Sequence, residues 1–138
     1  MRFVDTNVLL YAASTFAHEA PKARLARDIL GEDDLGLSVQ VLQEFYVQAT
    51  RSSRDDRLSH EQAVALIEAF LRFPVQETTT ALVRGALEAR ERYRISYWDA
   101  AIVEAARMLG CRTLLSEDLS DGLDYDGVTV VNPFRDSS

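Results

Sequence analysis

The chain has one cysteine, Cys111, and one lysine, Lys22. A lone cysteine excludes an intramolecular disulfide and a Cys-based zinc centre. Placed where a helix hands over to a strand, Cys111 reads as apolar core packing. A lone lysine leaves one candidate for any chemistry that needs an ammonium, early in the chain on an expected surface helix. No apolar run approaches the ~20 residues of a membrane span. The opening MRFVDTNVLLYA puts Asp5 where a signal peptide would be apolar, and no small-residue cleavage site follows, so a cytoplasmic protein is expected. Positive charge is also short. A net charge of −7 and a pI near 4.8 argue against a chain that coats nucleic acid through a basic surface. They do not exclude an enzyme that gathers carboxylates around cations, because the metal reverses the local field.

Familiar site motifs are missing too. There is no Gly-x-x-x-x-Gly-Lys and no Gly-x-Gly-x-x-Gly, which removes those nucleotide-binding loops. No Ser–His–Asp set can be assembled, and His18 and His60 stand alone near helix starts. DGLDYDG fails as a calcium loop, since Gly122 and Pro133 would fall at its first and twelfth positions.

What is present is an alternation of short apolar strands with helices. The 138 residues, 47% hydrophobic and 27% charged, suit one soluble domain, expected over 1–134 with a short tail at 135–138. RFVDTN reads as a first strand ending at Asp5, followed by a helix capped by Thr6 or Asn7. HEAPKARLARDIL is a second helix, with Pro21 in its first turn and Gly31 at its end. DLGLS is a strand, and Ser38 caps the next helix, whose stripe is Val41, Leu42, Phe45 and Ala49. Ser59 and Gln62 form a capping box ahead of Ala63, Leu66, Ile67, Phe70 and Leu71. PVQET is a short strand, and TALVRGALEARERY a helix with a Glu88–Arg92 pair on its solvent face. The next helix places Trp98, Ile102, Ala105 and Leu109 on one side and ends at Gly110. CRTLLS and VTVVN are the last strands. This order predicts an α/β fold with a parallel sheet covered on both faces.

In such folds functional groups collect beyond the carboxyl ends of the strands. Asp5 and Asp118 each follow a strand, Asp99 opens a helix, and Glu44 lies in a helix that follows a strand. Each also has a plain explanation. Asp5 can cap its helix, Ser96–Asp99 is a capping pattern worth ~1 kcal/mol, Glu44 flanks an apolar stripe, and Asp118 can close a turn. Together they are a set of oxygen donors suited to Mg²⁺ or Mn²⁺, and two such ions can position a water and stabilise a phosphodiester displacement. Glu117, Asp118, Asp121, Asp124 and Asp126 contain no basic residue among them and read mostly as a solvated loop. Arg51, Arg54 and Arg57 offer a candidate substrate surface.

FVDTNVLLYA, LSVQVLQEFYVQATR, ISYWDAAIVEAARMLGCRTLLSEDLSDG and GVTVVNPF, in that order and at these spacings, resemble the PIN-domain family, and within it the VapC-like toxins of toxin–antitoxin pairs. The resemblance covers nearly the whole chain. It implies a three-layer α/β/α fold with a sheet of four to five strands and an acidic pocket at the sheet's carboxyl edge. Carried over by position, Asp5, Glu44, Asp99 and Asp118 match the four acids, with Asp121 an open alternative for the fourth. Thr6, Asn7 and Ser116 match supporting positions. The implied activity is Mg²⁺- or Mn²⁺-dependent endoribonuclease, with one or two ions on the acids, in-line attack by water, and products with 5′-phosphate and 3′-hydroxyl ends. The implied partners are an RNA substrate, a second copy of the chain and a cognate antitoxin that lays a segment, often with an arginine, across the acids. A phosphorelay receiver would need a late lysine, whereas Lys22 is early. A haloacid-dehalogenase-like phosphatase would need Asp-x-Asp where the chain has Asp5-Thr6-Asn7. A non-catalytic PIN-fold binding module stays open as an alternative. The RNA target, the antitoxin, the metal count and the dimer interface are not legible.

Overall fold

The computed structural model describes residues 1–136; Ser137 and Ser138, the end of the expected tail, lie outside the described residues. Five parallel strands form one sheet in the order β3-β2-β1-β4-β5. They are β1 (Arg2–Val4), β2 (Leu35–Ser38), β3 (Val75–Gln76), β4 (Thr113–Leu115) and β5 (Thr129–Val131). The helices are α1 (Thr6–Ala13), α2 (Ala20–Leu30), α3 (Val39–Ala49), α4 (His60–Phe70), α5 (Thr80–Tyr93) and α6 (Tyr97–Met108). Helix α1 packs on α2 and α3, while α5 packs on α6, giving the three-layer α/β/α arrangement around the sheet.

The strands are short and apolar because helices cover both faces. Phe3, Val4, Leu35, Leu37, Leu114, Leu115 and Val130 are essentially inaccessible to solvent, each contributing roughly 1.5–3 kcal/mol by burial. Gly36 lets the Leu109 and Met1 side chains pack closely against β2. A Cβ there would lie 2.8 Å from Leu109 and 2.9 Å from Met1. Cys111 joins this core, and its burial raises the thiol pKa, as expected for inert packing.

Local signals set most boundaries. Ser38 caps α3 by accepting from the Val41 N–H. Ser59 and Gln62 complete the two-way capping box of α4. Gly31 and Gly110 follow the ends of α2 and α6. Several expectations are corrected. Thr6 and Asn7 do not cap α1; Asp5 does, as its capping reading allowed, since its extended backbone turns its carboxylate onto the Thr6 N–H. His18 and Glu19 form a separate 3₁₀ turn (Ala17–Glu19) ahead of α2. Leu71 lies beyond the α4 stripe and is exposed. Arg92 pairs with Asp126 at 3.5 Å rather than with Glu88. Trp98 leaves the α6 stripe altogether and is 65% exposed, while Ile102 and Ala105 are buried.

Candidate active site

The sheet's chain order reverses between β1 and β4: the connections after β1 run to β2 and β3, while β4 and β5 lie on the other side. A crevice opens beyond the carboxyl ends of strands at such a switch point. Asp5 follows β1 there, and Ser116, Glu117 and Asp118 follow β4.

Asp5 is the buried floor of this crevice. Its N–H donates to the Leu115 carbonyl at 3.0 Å, continuing the β1–β4 ladder by one residue. One carboxylate oxygen accepts from the Thr6 N–H at 2.7 Å, and the other from the Ser116 hydroxyl at 2.7 Å. Burial outweighs these bonds. With the nearby Asp118 and Glu44 charges adding to it, burial pushes the Asp5 pKa up to about 6. The residue is therefore a helix cap and part of the cavity lining at once.

Glu44 lies one turn after Gln40 on α3. The Gln40 amide donates to Glu44 Oε1 at 2.7 Å, and the Thr6 hydroxyl approaches Oε2 at 3.4 Å. Asp99 stands in the first turn of α6, where Ser96 Oγ accepts from its N–H at 3.1 Å. Unlike the Ser59–Gln62 box, this cap is one-way. The Asp99 carboxylate makes no hydrogen bond among the described residues and lines the cavity. Asn7 spans the β1 and β4 sides. Its amide nitrogen donates to Asp118 Oδ2 at 3.2 Å and its oxygen accepts from the Glu117 N–H at 3.2 Å. Ser116 Oγ also accepts from the Asp118 and Leu119 N–H groups at 3.2 and 3.3 Å. One hydroxyl thus shapes the turn after β4 and fixes Asp5.

A cavity of about 260 Å³ is lined by Asp5, Glu44, Asp99 and Asp118 together with Thr6 and Asn7. Asp121 is not among its lining residues. Its oxygens accept from the Asn132 N–H at 2.9 Å and from Arg135 at 3.0 Å, and so pin the start of the C-terminal segment. No three His, Cys, Asp or Glu side chains among the described residues stand close enough, as placed, to enclose a metal ion. An ion of the Mg²⁺ type needs only one or two carboxylates and completes its shell with water. The all-oxygen donors, with the Asp99 carboxylate unbonded and the Asp118 and Glu44 charges facing Asp5, fit such an ion.

The cavity also has walls that sequence patterns did not reveal. Tyr11 and Glu117 line it, and Lys22 on α2 stands behind them, its Nζ 2.7 Å from Glu117 and 3.3 Å from the Tyr11 hydroxyl, which itself donates to Glu117. The bond to Glu117 raises the Lys22 pKa. The acids after β4 are mostly solvent-exposed, as expected, and within that loop Glu117, Asp121 and Asp126 also pair with Lys22, Arg135 and Arg92. Arg54 lines the cavity and pairs with Asp56 at 2.7 Å. Trp98 forms part of its rim.

The PIN domain family profile matches residues 2–120. No curated protein is matched at the sequence level. Solved structures share the fold across nearly the full chain. A toxin–antitoxin complex from Klebsiella pneumoniae superposes with a TM-score of 0.69 at 20% identity, over 96% of this chain and 98% of that one. The sarcin-ricin loop cleaving toxin VapC20 of Mycobacterium tuberculosis gives 0.66 at 24% identity, over 86% and 92%. A DNA-bound VapBC from Salmonella typhimurium gives 0.66 at 19% identity, over 96% and 97%.

Proposed function

The chain belongs to the PIN domain family, and from that premise we propose that it is a divalent-metal-dependent endoribonuclease and the toxin of a type II toxin–antitoxin pair. The observation that carries the reading is the gathering of Asp5, Glu44, Asp99 and Asp118, from four separate segments, around one cavity at the sheet's switch point. Structural neighbours that are toxins, some in complex with antitoxin, support the biological role.

In this reading Asp5, Asp99 and Asp118 hold one or two Mg²⁺ or Mn²⁺ ions, with Glu44 alongside. The bound cation supplies charge neutralisation at the phosphate and acidifies water. The chain's own groups do the positioning. Thr6 N–H and Ser116 Oγ fix both oxygens of Asp5, and Asn7 fixes Asp118. Gln40 and Thr6 hold Glu44, which orients the attacking water toward phosphorus. Water adds in line and the P–O3′ bond breaks, leaving a 5′-phosphate and a 3′-hydroxyl. The partners are RNA, a second copy of the chain, and an antitoxin whose cationic segment covers the acids.

The test is cleavage of structured RNA by the purified, antitoxin-free chain with Mg²⁺ or Mn²⁺. Cleavage that stops with chelator and leaves 5′-phosphate ends is expected; metal-independent cleavage, or 2′,3′-cyclic phosphate ends, would contradict the mechanism. Growth arrest on expression, relieved by co-expressing the neighbouring small gene, tests the toxin role.

A further inference from the structure

We propose that the Trp98 indole and the groove beside it form a nucleobase subsite, which seats the base next to the scissile phosphate; this rests on the ribonuclease reading above. Trp98 is the chain's one tryptophan and directly precedes Asp99. Its large apolar ring is 65% exposed at the cavity rim.

The residue is held once at its ring and once at its backbone. Tyr97, packed against the core, meets it edge-on with centroids 5.1 Å apart and planes at 82°. The Trp98 carbonyl accepts from Gln40 Nε2 at 3.2 Å, and the same nitrogen donates to Glu44 Oε1. One amide therefore ties the aromatic platform to a site acid.

Beside the ring runs a groove of about 460 Å³ walled by Gln40, Gln43, Val47, Gln48 and Arg51. It shares Glu44, Gln48 and Trp98 with the acidic cavity, so the two adjoin across these side chains. Residues 40, 44, 47, 48 and 51 recur at helical spacing, so a single face of α3 and its C-terminal extension carries both the acid and the groove wall. The chemistry matches a base. An indole offers a stacking face, and the glutamine amides offer donors and acceptors for a base edge. Arg51 makes no ion pair among the described residues and can meet a flanking phosphate.

Because Trp98 is the sole tryptophan, indole emission excited selectively over the five tyrosines reads this site alone. Asp5→Asn protein, which keeps the groove intact, is titrated in Mg²⁺ with a short single-stranded RNA of mixed sequence, and with an abasic strand of equal length. Saturable quenching by the RNA and little by the abasic strand is expected; equal response to both would overturn the subsite. Trp98→Leu and Trp98→Phe are then compared by fluorescence anisotropy with labelled RNA, and by cleavage in the otherwise wild-type chain. Trp98→Leu should lose about 5- to 100-fold in affinity, with the phenyl ring recovering part of it. The exposed site predicts an unchanged melting temperature in both. If Trp98→Leu binds and cleaves RNA like wild type but no longer associates with a second copy or a protein partner, the face is a protein-docking surface and the proposal is wrong. If wild-type protein with metal cleaves no RNA, the nuclease reading fails separately, and quenching still decides whether the indole stacks a base.

Discussion

The Ser116 hydroxyl donates to Asp5 Oδ2 at 2.7 Å while accepting from the Asp118 and Leu119 N–H groups. It is a fully buried hinge between the strand-end turn and the deepest acid of the cavity. Ser116→Ala leaves Asp5 and two N–H groups short of a partner. It should destabilise the fold by roughly 1–3 kcal/mol and reduce cleavage by about 10- to 100-fold through misplacement of Asp5 and Asp118. Denaturant melts and initial rates on one preparation measure both losses.

Asp5 gives the metal-free protein a definite pH signature. Its pKa is about 6 in the fold against an ordinary 3.8, so between these values the folded chain keeps a proton that the unfolded chain has lost. The stabilisation is complete below the lower value and disappears as pH rises through the upper one. It totals about 3 kcal/mol, of which close to half is lost between pH 5 and pH 8. Urea titrations of wild type and Asp5→Asn across that range should differ in slope accordingly. Divalent-ion affinity should run the opposite way, weakening as pH falls through about 6, because the ion needs ionised Asp5.

Asp118 and Asp121 should behave differently despite being three residues apart. Asp118 lines the cavity and accepts from Asn7, whereas Asp121 binds Asn132 and Arg135. Asp118→Asn should lower cleavage at least about tenfold, as expected for loss of a positioned charge. Asp121→Asn should leave cleavage within about twofold and cost less than ~1 kcal/mol, since its ion pair is exposed. Equal effects on activity would show that the acids are misassigned.

What could be read from sequence was what short-range pattern encodes. Ser38, Ser59 and Gln62 announce helix starts because capping involves residues three apart. The strand-end position of Asp5 was visible because apolar Phe3 and Val4 lead into it. Lys22 and Glu117 meet across 95 residues of chain, and no local signal pairs them. The different surroundings of Asp118 and Asp121 come from where Asn7, Asn132 and Arg135 fold back. Trp98 misled for a related reason. Helical periodicity puts it in line with Ile102, but a first-turn residue can project past the packed layer onto the sheet's edge. Likewise the Ser96–Asp99 pattern gave the correct cap and said nothing of whether the carboxylate itself was engaged.

That last distinction bears most directly on the central account, in which the acids form one metal-dependent hydrolytic site. The decisive measurement is the initial rate of RNA cleavage in Mg²⁺ by Asp99→Asn and Ser96→Ala, each with its melting temperature. Asp99→Asn should lose cleavage by more than about a hundredfold while melting within a few degrees of wild type, since the cap uses its N–H. Ser96→Ala should cost about 1 kcal/mol of stability and keep most of the activity. An Asp99→Asn protein that cleaves as fast as wild type, or one whose loss of activity simply follows loss of folding, would contradict the account.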